Sequence, residues 1–374
     1  MKVVRFIERV VFESQTWKFI LLILAITLIR TGIWQIPNLE LSLQIAQDPF
    51  NNPFTDNDAH YLFWNWLGPF LAWLVGAKSK AAFFLFHLAF SAAFSLLFIR
   101  IVFTRFSNQT ARSALILFSV LPVSATAYFW VSTDSLTLFL ILLALAFPEY
   151  ALVTFLSGVA LGMQHFEQGF VAVGGLLFAQ ILSRRYQDTT LPYSPKFAIL
   201  WFIGVVAGKL LLLGLFNYFS IEVNSGRLYF LSQHFRLLLK VSFFYLHIIA
   251  WSVLGLGWLA VLRYVDWGRK TIPFFLTLLG FCFLIPISAD QTRVLAVVTF
   301  PLLATYWLFN RDFLEKITRT EYAFLFILWV LVPWAWTWGG VPKWSVFPHD
   351  IAYLLHELFG WFRIPSDPSE WPFD

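Results

Sequence analysis

The stretch 197-FAILWFIGVVAGKLLLLGLFNYF-219 decides the fold class of this chain. Its one charged side chain is Lys209. As an α-helix rising 1.5 Å per residue it would be roughly 34 Å long, slightly more than the hydrocarbon layer of a bilayer. Because the stretch lacks the alternating pattern of a barrel strand, it predicts a membrane-spanning helix.

Similar runs recur along the 374 residues, of which 59% are hydrophobic and 13% charged, with a mean hydropathy of +0.72. The composition predicts an all-α, polytopic transmembrane bundle forming one integral membrane domain over residues 1–374. We expect about eleven spans, and the first lacks a signal-peptide cleavage site. They are Trp17–Ile36, Ala81–Phe103, Ser113–Val131, Ser135–Phe147, Tyr150–Gly162, Phe170–Leu182, Phe197–Phe219, Ser242–Leu262, Ile272–Ser288, Thr292–Phe309 and Tyr322–Trp338.

The basic residues set the predicted orientation. Short cytoplasmic loops are enriched in Lys and Arg, so the amino terminus is expected inside and the carboxy terminus outside. This arrangement holds only if Tyr61–Gly76 does not cross, and Tyr61–Trp73 is then an amphipathic interfacial helix. The residues gathered on the inner face would be Lys2, Arg5, Arg9, Lys18, Arg100, Arg105, Arg112, Arg184, Arg185, Lys196, Arg263, Arg269, Lys270, Arg311, Lys316 and Arg319.

The opposite face receives most of the remaining polar chemistry. It would carry a long first outer loop (37–80), a basic outer loop (220–241) and a tail (339–374) with a helix near Ile351–Phe362. Carboxylates, imidazoles and guanidinium groups from five places would therefore meet there. They are Asp56, Asp58, Asp134, His165, Glu167, Arg227, His234, Arg236, Asp290 and Arg293.

Several of these residues have an ordinary structural alternative. Asp134 and Asp290 stand where helix N-caps would stand, although Arg293 follows Asp290 by one turn and could pair with it. His165 and Glu167 lie between two short spans, either in a turn that dips toward the membrane or in an ordinary polar hairpin. The basic residues of the 220–241 loop could simply bind anionic lipid headgroups.

Lys209 lies near the middle of its span, where a charge is costly unless it is paired or hydrated. The neighbouring glycines would allow close helix packing. We interpret Lys209 as lining a polar cavity that opens outward, with a buried pair or a snorkelling chain as the alternative. Cys282, the single cysteine, excludes an intrachain disulfide and is expected to be a small core side chain.

The first outer loop carries aspartates and a later outer loop carries basic residues. This arrangement is the one expected of an enzyme that transfers a sugar from a lipid-linked phosphate. A carboxylate removes the proton of the acceptor hydroxyl, and cations hold the departing phosphate. The chain has no glycine-rich phosphate loop and no dinucleotide fingerprint, so a membrane-anchored donor is favoured over a nucleotide. We expect no nucleic-acid partner. His349 and His356 are weak evidence for a metal.

The number of spans, the inner amino terminus and Asp56-Asn57-Asp58 before an interfacial helix resemble the GT-C class of membrane glycosyltransferases. The segment Asp58-Ala59-His60-Tyr61-Leu62 is similar to the first-loop motif of the GPI mannosyltransferase branch and its bacterial relatives, although Asn57 stands where that motif often has Trp. The resemblance implies Asp58 or Asp56 as general base and a polyprenyl-phosphate sugar as donor.

The predicted mechanism has Asp58 or Asp56 take the proton while Arg293, Arg227, His234 and Arg236 neutralise the leaving phosphate. Asp290 would orient Arg293, His165 or Glu167 would contact the sugar or acceptor, and Asp134 and Lys209 would support the site. No cofactor is expected, and a divalent metal is compatible with Asp-x-Asp but not required.

The acceptor would be a glycan, lipid or protein at the periplasmic face of a bacterial inner membrane. A polysaccharide polymerase or ligase, a sugar or lipid transporter and a non-catalytic scaffold are the alternatives.

Overall fold

The computed structural model describes residues 2–31, 39–55, 60–129, 133–185, 193–223, 226–264, 271–288, 290–338 and 341–345. Within these ranges the chain is mostly helical, which confirms the all-α prediction. The helices are α1 (Lys2–Phe12), α2 (Thr16–Thr31), α3 (Leu39–Gln47), α4 (His60–Phe63), α5 (Leu67–Leu74), α6 (Lys80–Arg105), α7 (Asn108–Val120), α8 (Pro122–Phe129), α9 (Asp134–Ala146), α10 (Ala151–Arg185), α11 (Pro195–Tyr218), α12 (Gly226–Phe244), α13 (Leu246–Leu254), α14 (Gly257–Tyr264), α15 (Ile272–Phe281), α16 (Gln291–Leu303), α17 (Arg311–Lys316) and α18 (Arg319–Leu331).

Three described helices, α6, α10 and α11, are long and apolar enough to cross a membrane. The total becomes five if the bent pairs α1–α2 and α7–α8 each count as one span. Several long apolar helices are thus compatible with an integral membrane protein, but by length and composition they number fewer than the predicted eleven.

Proline and glycine divide several of the predicted spans. The chain bends by 64° between α7 and α8, where Pro122 begins the second helix. Gly255, with φ +55°, separates α13 from α14. Helix α15 continues as a 3₁₀ segment, Cys282–Ile287, that contains Pro286. Helix α16 continues as a π-helical segment, Ala304–Leu308.

Two predicted boundaries are wrong. The span Tyr322–Trp338 ends early because α18 stops at Leu331, and strand β1 (Ala335–Trp338) then pairs antiparallel with β2 (Val341–Trp344). Pro333 explains the stop, since the residue before a proline is disfavoured in helical geometry. The predicted 220–241 loop is largely the helix α12.

Tyr61–Trp73 is not one helix but the two short helices α4 and α5, neither long enough to cross a bilayer. Phe63 at the end of α4, and Trp64 and Trp66 between the two helices, contact the ring of Phe216 near the carboxyl end of α11. The prediction that this segment does not cross therefore agrees with the lengths of its helices.

Helix α10 is a hairpin whose backbone leaves helical geometry at His165 (φ −157°, ψ 77°). Its first arm runs parallel to α11, because Gly158 faces Trp201 and Gly162 faces Val205. Its second arm runs antiparallel, because Phe170 packs on Phe202 and Gln180 hydrogen-bonds to the carbonyl of Tyr193. The predicted turn between two short apolar segments is thus present, with its tip beside Lys209 of α11.

The contact between the first arm of α10 and α11, here called the seam, depends on glycine. A methyl group added at Gly162 would lie 2.1 Å from the carbonyl oxygen of Val205, and one at Gly208 would lie 2.0 Å from that of Val159. These contacts leave no room for a side chain, so the two helices touch backbone to backbone.

Residues from several of the predicted inner-face basic clusters meet at one end of the bundle, here called the basic end, whereas Arg269 and Lys270 lie outside the described residues. Buried Arg112 donates to the carbonyls of Val11 and Ser14 and so fixes the bend between α1 and α2. The other contacts there join Arg105 to Leu145 and Tyr193, Arg319 to Gln109, and Arg263 to Glu321.

The opposite end, here called the site end, holds the residues that the sequence assigns to chemistry. The carboxyl end of α18 is capped there by Arg30, which donates to the carbonyls of Trp329 and Val332. Strand β1 lies over the start of α16, because the Thr337 N–H donates to Thr292 Oγ1 at 2.9 Å.

Candidate active site

Arg293 is the centre of a buried charge cluster at the site end. Its Nε atom lies 3.0 Å from Asp290 Oδ2, as the spacing of three residues predicts, and 3.5 Å from Asp134 Oδ2. Only 17% of the Arg293 side chain is exposed, and Asp134 is fully buried. Two carboxylates therefore share one guanidinium group, a role that the sequence did not assign to Asp134.

The capping alternative for both aspartates is wrong. Asp134 is the first residue of α9 rather than the residue before it, and Asp290 precedes α16 without accepting a capping hydrogen bond. Among the described residues, neither oxygen of Asp134 has a hydrogen-bond partner. Its carboxyl group is thus held by burial and by the charge of Arg293.

Burial dominates the electrostatics of the two acids, because desolvation penalises the charged form. It raises the pKa of Asp134 to about 7, with Arg293 acting to lower it and Asp290 to raise it further. Burial also raises the pKa of Asp290, against the opposing effect of Arg293. The cluster therefore exchanges a proton more easily near neutral pH than ordinary aspartates would.

The first loop reaches this cluster. Asp56 and Asp58 lie outside the described residues, but α4 begins directly afterwards at His60. The hydroxyl of Tyr61 lies within electrostatic range of the Arg293 guanidinium group. The only described part of the Asp58–Leu62 motif, His60 to Leu62, is thus linked to the cluster.

Gln164, at the tip of α10, joins three parts of the site and was missed by sequence reasoning. Its amide oxygen accepts from the Gly68 N–H at 2.7 Å, and its amide nitrogen donates to the Thr133 carbonyl at 3.1 Å. One fully buried side chain therefore ties α5 to the residue before Asp134. A glutamine between two apolar runs, next to the predicted turn, is the signal that could have identified it.

His165 and Glu167 follow Gln164 at the same tip. The Nδ1 atom of His165 lies 3.7 Å from Glu167 Oε2, and the side chains are 3% and 40% exposed respectively. Glu167 is therefore partly exposed at the tip, whereas His165 is buried in the bend.

Lys209 lies under the first loop. Its Nζ atom is 3.4 Å from the centre of the Trp64 ring and 5.4 Å from that of Phe166. A cation over two aromatic faces is stabilised by the negative potential of the rings. This contact supports a structural role for Lys209 in holding α4 against α10 and α11.

His234 and Arg236 do not share one face of α12. Arg236 is exposed, and His234, two positions earlier and therefore on another face of the helix, is half-buried. Arg227 lies in the first turn of α12. Helix α12 packs on α4 and on the 3₁₀ segment after α15, so it borders the site.

The described residues contain no group of three or more His, Cys, Asp or Glu side chains able to hold a metal ion. The tail residues His349 and His356, and the helix predicted at Ile351–Phe362, lie outside the described ranges. Cys282 is a half-buried free thiol.

Comparisons with known proteins found no matching family model, no matching curated protein and no matching solved structure.

Proposed function

We propose that this chain is a membrane glycosyltransferase of GT-C type. It would move a sugar from a polyprenyl-phosphate donor to a glycan, lipid or protein acceptor. The observation that carries the proposal is the buried Asp134–Asp290–Arg293 cluster beside Tyr61 of the first-loop motif. It supplies a guanidinium group for a phosphate near Tyr61, which follows the candidate bases Asp56 and Asp58 closely in the sequence.

In the proposed topology the chain crosses the membrane about eleven times, and the two arms of α10 count as two crossings. The basic end faces the cytoplasm together with the amino terminus, and the site end faces the periplasm. Gathering of the basic side chains at one end supports this orientation, because such residues are retained on the cytoplasmic side.

The proposed reaction is a displacement at the anomeric carbon. Asp58 or Asp56 accepts the proton of the acceptor hydroxyl as its oxygen bonds to that carbon. The bond from the carbon to the phosphate oxygen breaks, and the electron pair stays on the phosphate. Arg293 neutralises the resulting charge, and a preorganised cation in a site that excludes water is effective in this role.

Whether Arg293 can bind a phosphate depends on the protonation state of the two aspartates. With both ionised, the cluster carries a net negative charge and opposes an incoming phosphate. A proton on Asp134 makes the cluster neutral and leaves Asp290 to orient the guanidinium group, as the sequence predicts. Glu167, exposed at the α10 tip, would contact the sugar, and His234 and Arg236 would border the phosphate from α12.

A transporter for a lipid or sugar is the second candidate. The hairpin of α10 and the break between α7 and α8 favour it, because interrupted helices line many transport sites. The two functions differ in whether a covalent bond changes.

The test is to reconstitute the purified protein in vesicles with a panel of radiolabelled polyprenyl-phosphate sugars and an acceptor extract. We expect one donor to give a labelled product together with free polyprenyl phosphate. Movement of intact donor between leaflets without product would favour the transporter. No turnover with any donor would contradict the glycosyltransferase.

A further inference from the structure

A separate cavity of about 240 Å³ lies where the first outer loop meets the turn after α11. The residues that line it include Phe50, Asn52, Phe54, His60, Ser220 and Glu222. A water molecule needs about 10–15 Å³ of such space, so the cavity has room for more than ten. A hexose, with about as many non-hydrogen atoms, is a ligand of this size.

Hydrogen bonds hold the polar wall of the cavity in place. The Asn52 amide nitrogen donates to the Glu222 carbonyl at 2.9 Å and lies 3.3 Å from His60 Nδ1. His60 Nε2 lies 3.0 Å from the Phe54 carbonyl, and the Phe54 N–H donates to Asn52 Oδ1. These contacts are consistent with donation through His60 Nε2 and acceptance at Nδ1. A ligand would therefore meet a preorganised surface.

Ser220 adopts a left-handed conformation, with φ +55°. It follows the end of α11, where its N–H donates to the Asn217 carbonyl and the Ile221 N–H donates to that of Phe216. This is the Schellman pattern, which favours glycine at the position that Ser220 occupies. The protein thus carries a serine hydroxyl in the cavity lining at a cost in backbone strain.

The lining has the chemistry of a carbohydrate site. It offers the Asn52 amide oxygen, the Ser220 hydroxyl and the Glu222 carboxylate to sugar hydroxyls, and two phenyl rings for the apolar faces, while His60 fixes the shape of the wall. The described lining residues include no Lys or Arg but do include Glu222, so this part of the wall favours a neutral ligand over a phosphate. It suits a neutral sugar.

The location of the cavity indicates which of the two substrates, donor or acceptor, would supply the bound sugar. His60 lines the cavity, whereas its neighbour Tyr61 interacts with Arg293, so α4 connects the two places. We propose that the cavity binds a pyranose unit of the acceptor, while the donor phosphate lies at Arg293. The assignment to the acceptor rests on the proposed function, but carbohydrate binding by the cavity does not.

The test combines direct binding with kinetics on the full chain in nanodiscs. Binding of a panel of methyl hexosides is followed by saturation-transfer NMR for the wild type, Ser220→Gly and Glu222→Gln. Glu149→Gln, at an exposed carboxylate beyond the basic end of α9, is the matched control. We expect saturable binding of at least one glycoside by the wild type and the control, and a loss of about fivefold or more in each cavity variant, as for one hydrogen bond.

Ser220→Gly separates binding from folding, because glycine relieves the strain. We expect it to melt at a higher temperature than the wild type while binding the glycoside more weakly. Binding that is absent in the wild type, or equal in all four proteins, would overturn the proposal. In the transfer assay the cavity variants should raise the acceptor KM and leave the donor KM unchanged, and the reverse would overturn the acceptor assignment. If both cavity variants weaken sugar binding but the wild type transfers no sugar, the proposed function is refuted and the sugar-binding site is still supported.

Discussion

The guanidinium Nε of Arg293 lies 3.5 Å from a carboxylate oxygen of Asp134, although the two residues begin helices far apart in the sequence. Asp134 opens α9 and Arg293 lies in the first turn of α16, so the pair joins two helix starts at the site end. With Asp290 at 3.0 Å, the guanidinium group is the shared partner of two buried acids.

Removing that partner should destabilise the fold. Arg293→Met leaves two buried carboxylates without a countercharge, which typically costs about 3–5 kcal/mol. The triple variant Arg293→Met/Asp134→Asn/Asp290→Asn should recover most of the loss, because no buried charge remains unpaired. Denaturation in detergent measures both. A single variant as stable as the wild type would show that the cluster is not held by charge.

The stability of the protein should depend on pH through Asp134. Its pKa is raised from 3.8 to about 7 by burial, so its protonated form is favoured in the folded state. The corresponding stability is fully present below about pH 4 and is lost as the pH rises through 7. Melting temperature between pH 5 and pH 8 should therefore fall more steeply in the wild type than in Asp134→Asn. Parallel curves for the two proteins would contradict the assignment.

The seam between α10 and α11 should tolerate no side chain. Gly208→Ala places a methyl group 2.0 Å from the Val159 carbonyl oxygen, a backbone atom that cannot move without separating the helices. Gly214→Ala on the same helix meets nothing within 4 Å. We expect the first variant to lose folded protein in size-exclusion chromatography and the second to match the wild type. Equal yields would mean that the arm does not pack as described.

Much of this organisation could be predicted from the spacing of residues along the chain. The Asp290–Arg293 pair follows from a separation of three residues, and the convergence of basic clusters follows from their recurrence along the chain. The turn at His165 follows from two apolar runs too short to cross alone.

Contacts between residues that only tertiary packing brings together could not be predicted from the sequence. From the sequence Asp134 is a candidate helix cap, and only the approach of α16 makes it a partner of Arg293. Gln164 binds Gly68 and Thr133, which are distant in sequence, and its pattern is that of any polar residue near a turn. The β-hairpin after Pro333 was missed because its first strand, Ala335–Trp338, is as apolar as a membrane span.

The orientation can be tested with single cysteines. In a Cys282→Ser background, Lys18→Cys lies at the basic end and Asn51→Cys in the first loop, and both native side chains are exposed. A membrane-impermeant maleimide should label the Asn51→Cys variant in intact cells and the Lys18→Cys variant only after permeabilisation. The opposite pattern would reverse the proposed topology.

The most direct test of the central claim is the rate of sugar transfer after loss of a first-loop carboxylate. Asp58→Asn and Asp56→Asn are compared with Asp48→Asn, whose native carboxylate accepts from the Phe50 N–H in a turn that asparagine also forms. We predict that one of the first two variants lowers kcat by about 10²–10⁴-fold, the contribution of a general base, and that Asp48→Asn retains wild-type turnover. Full activity in both Asp58→Asn and Asp56→Asn would contradict the proposed mechanism.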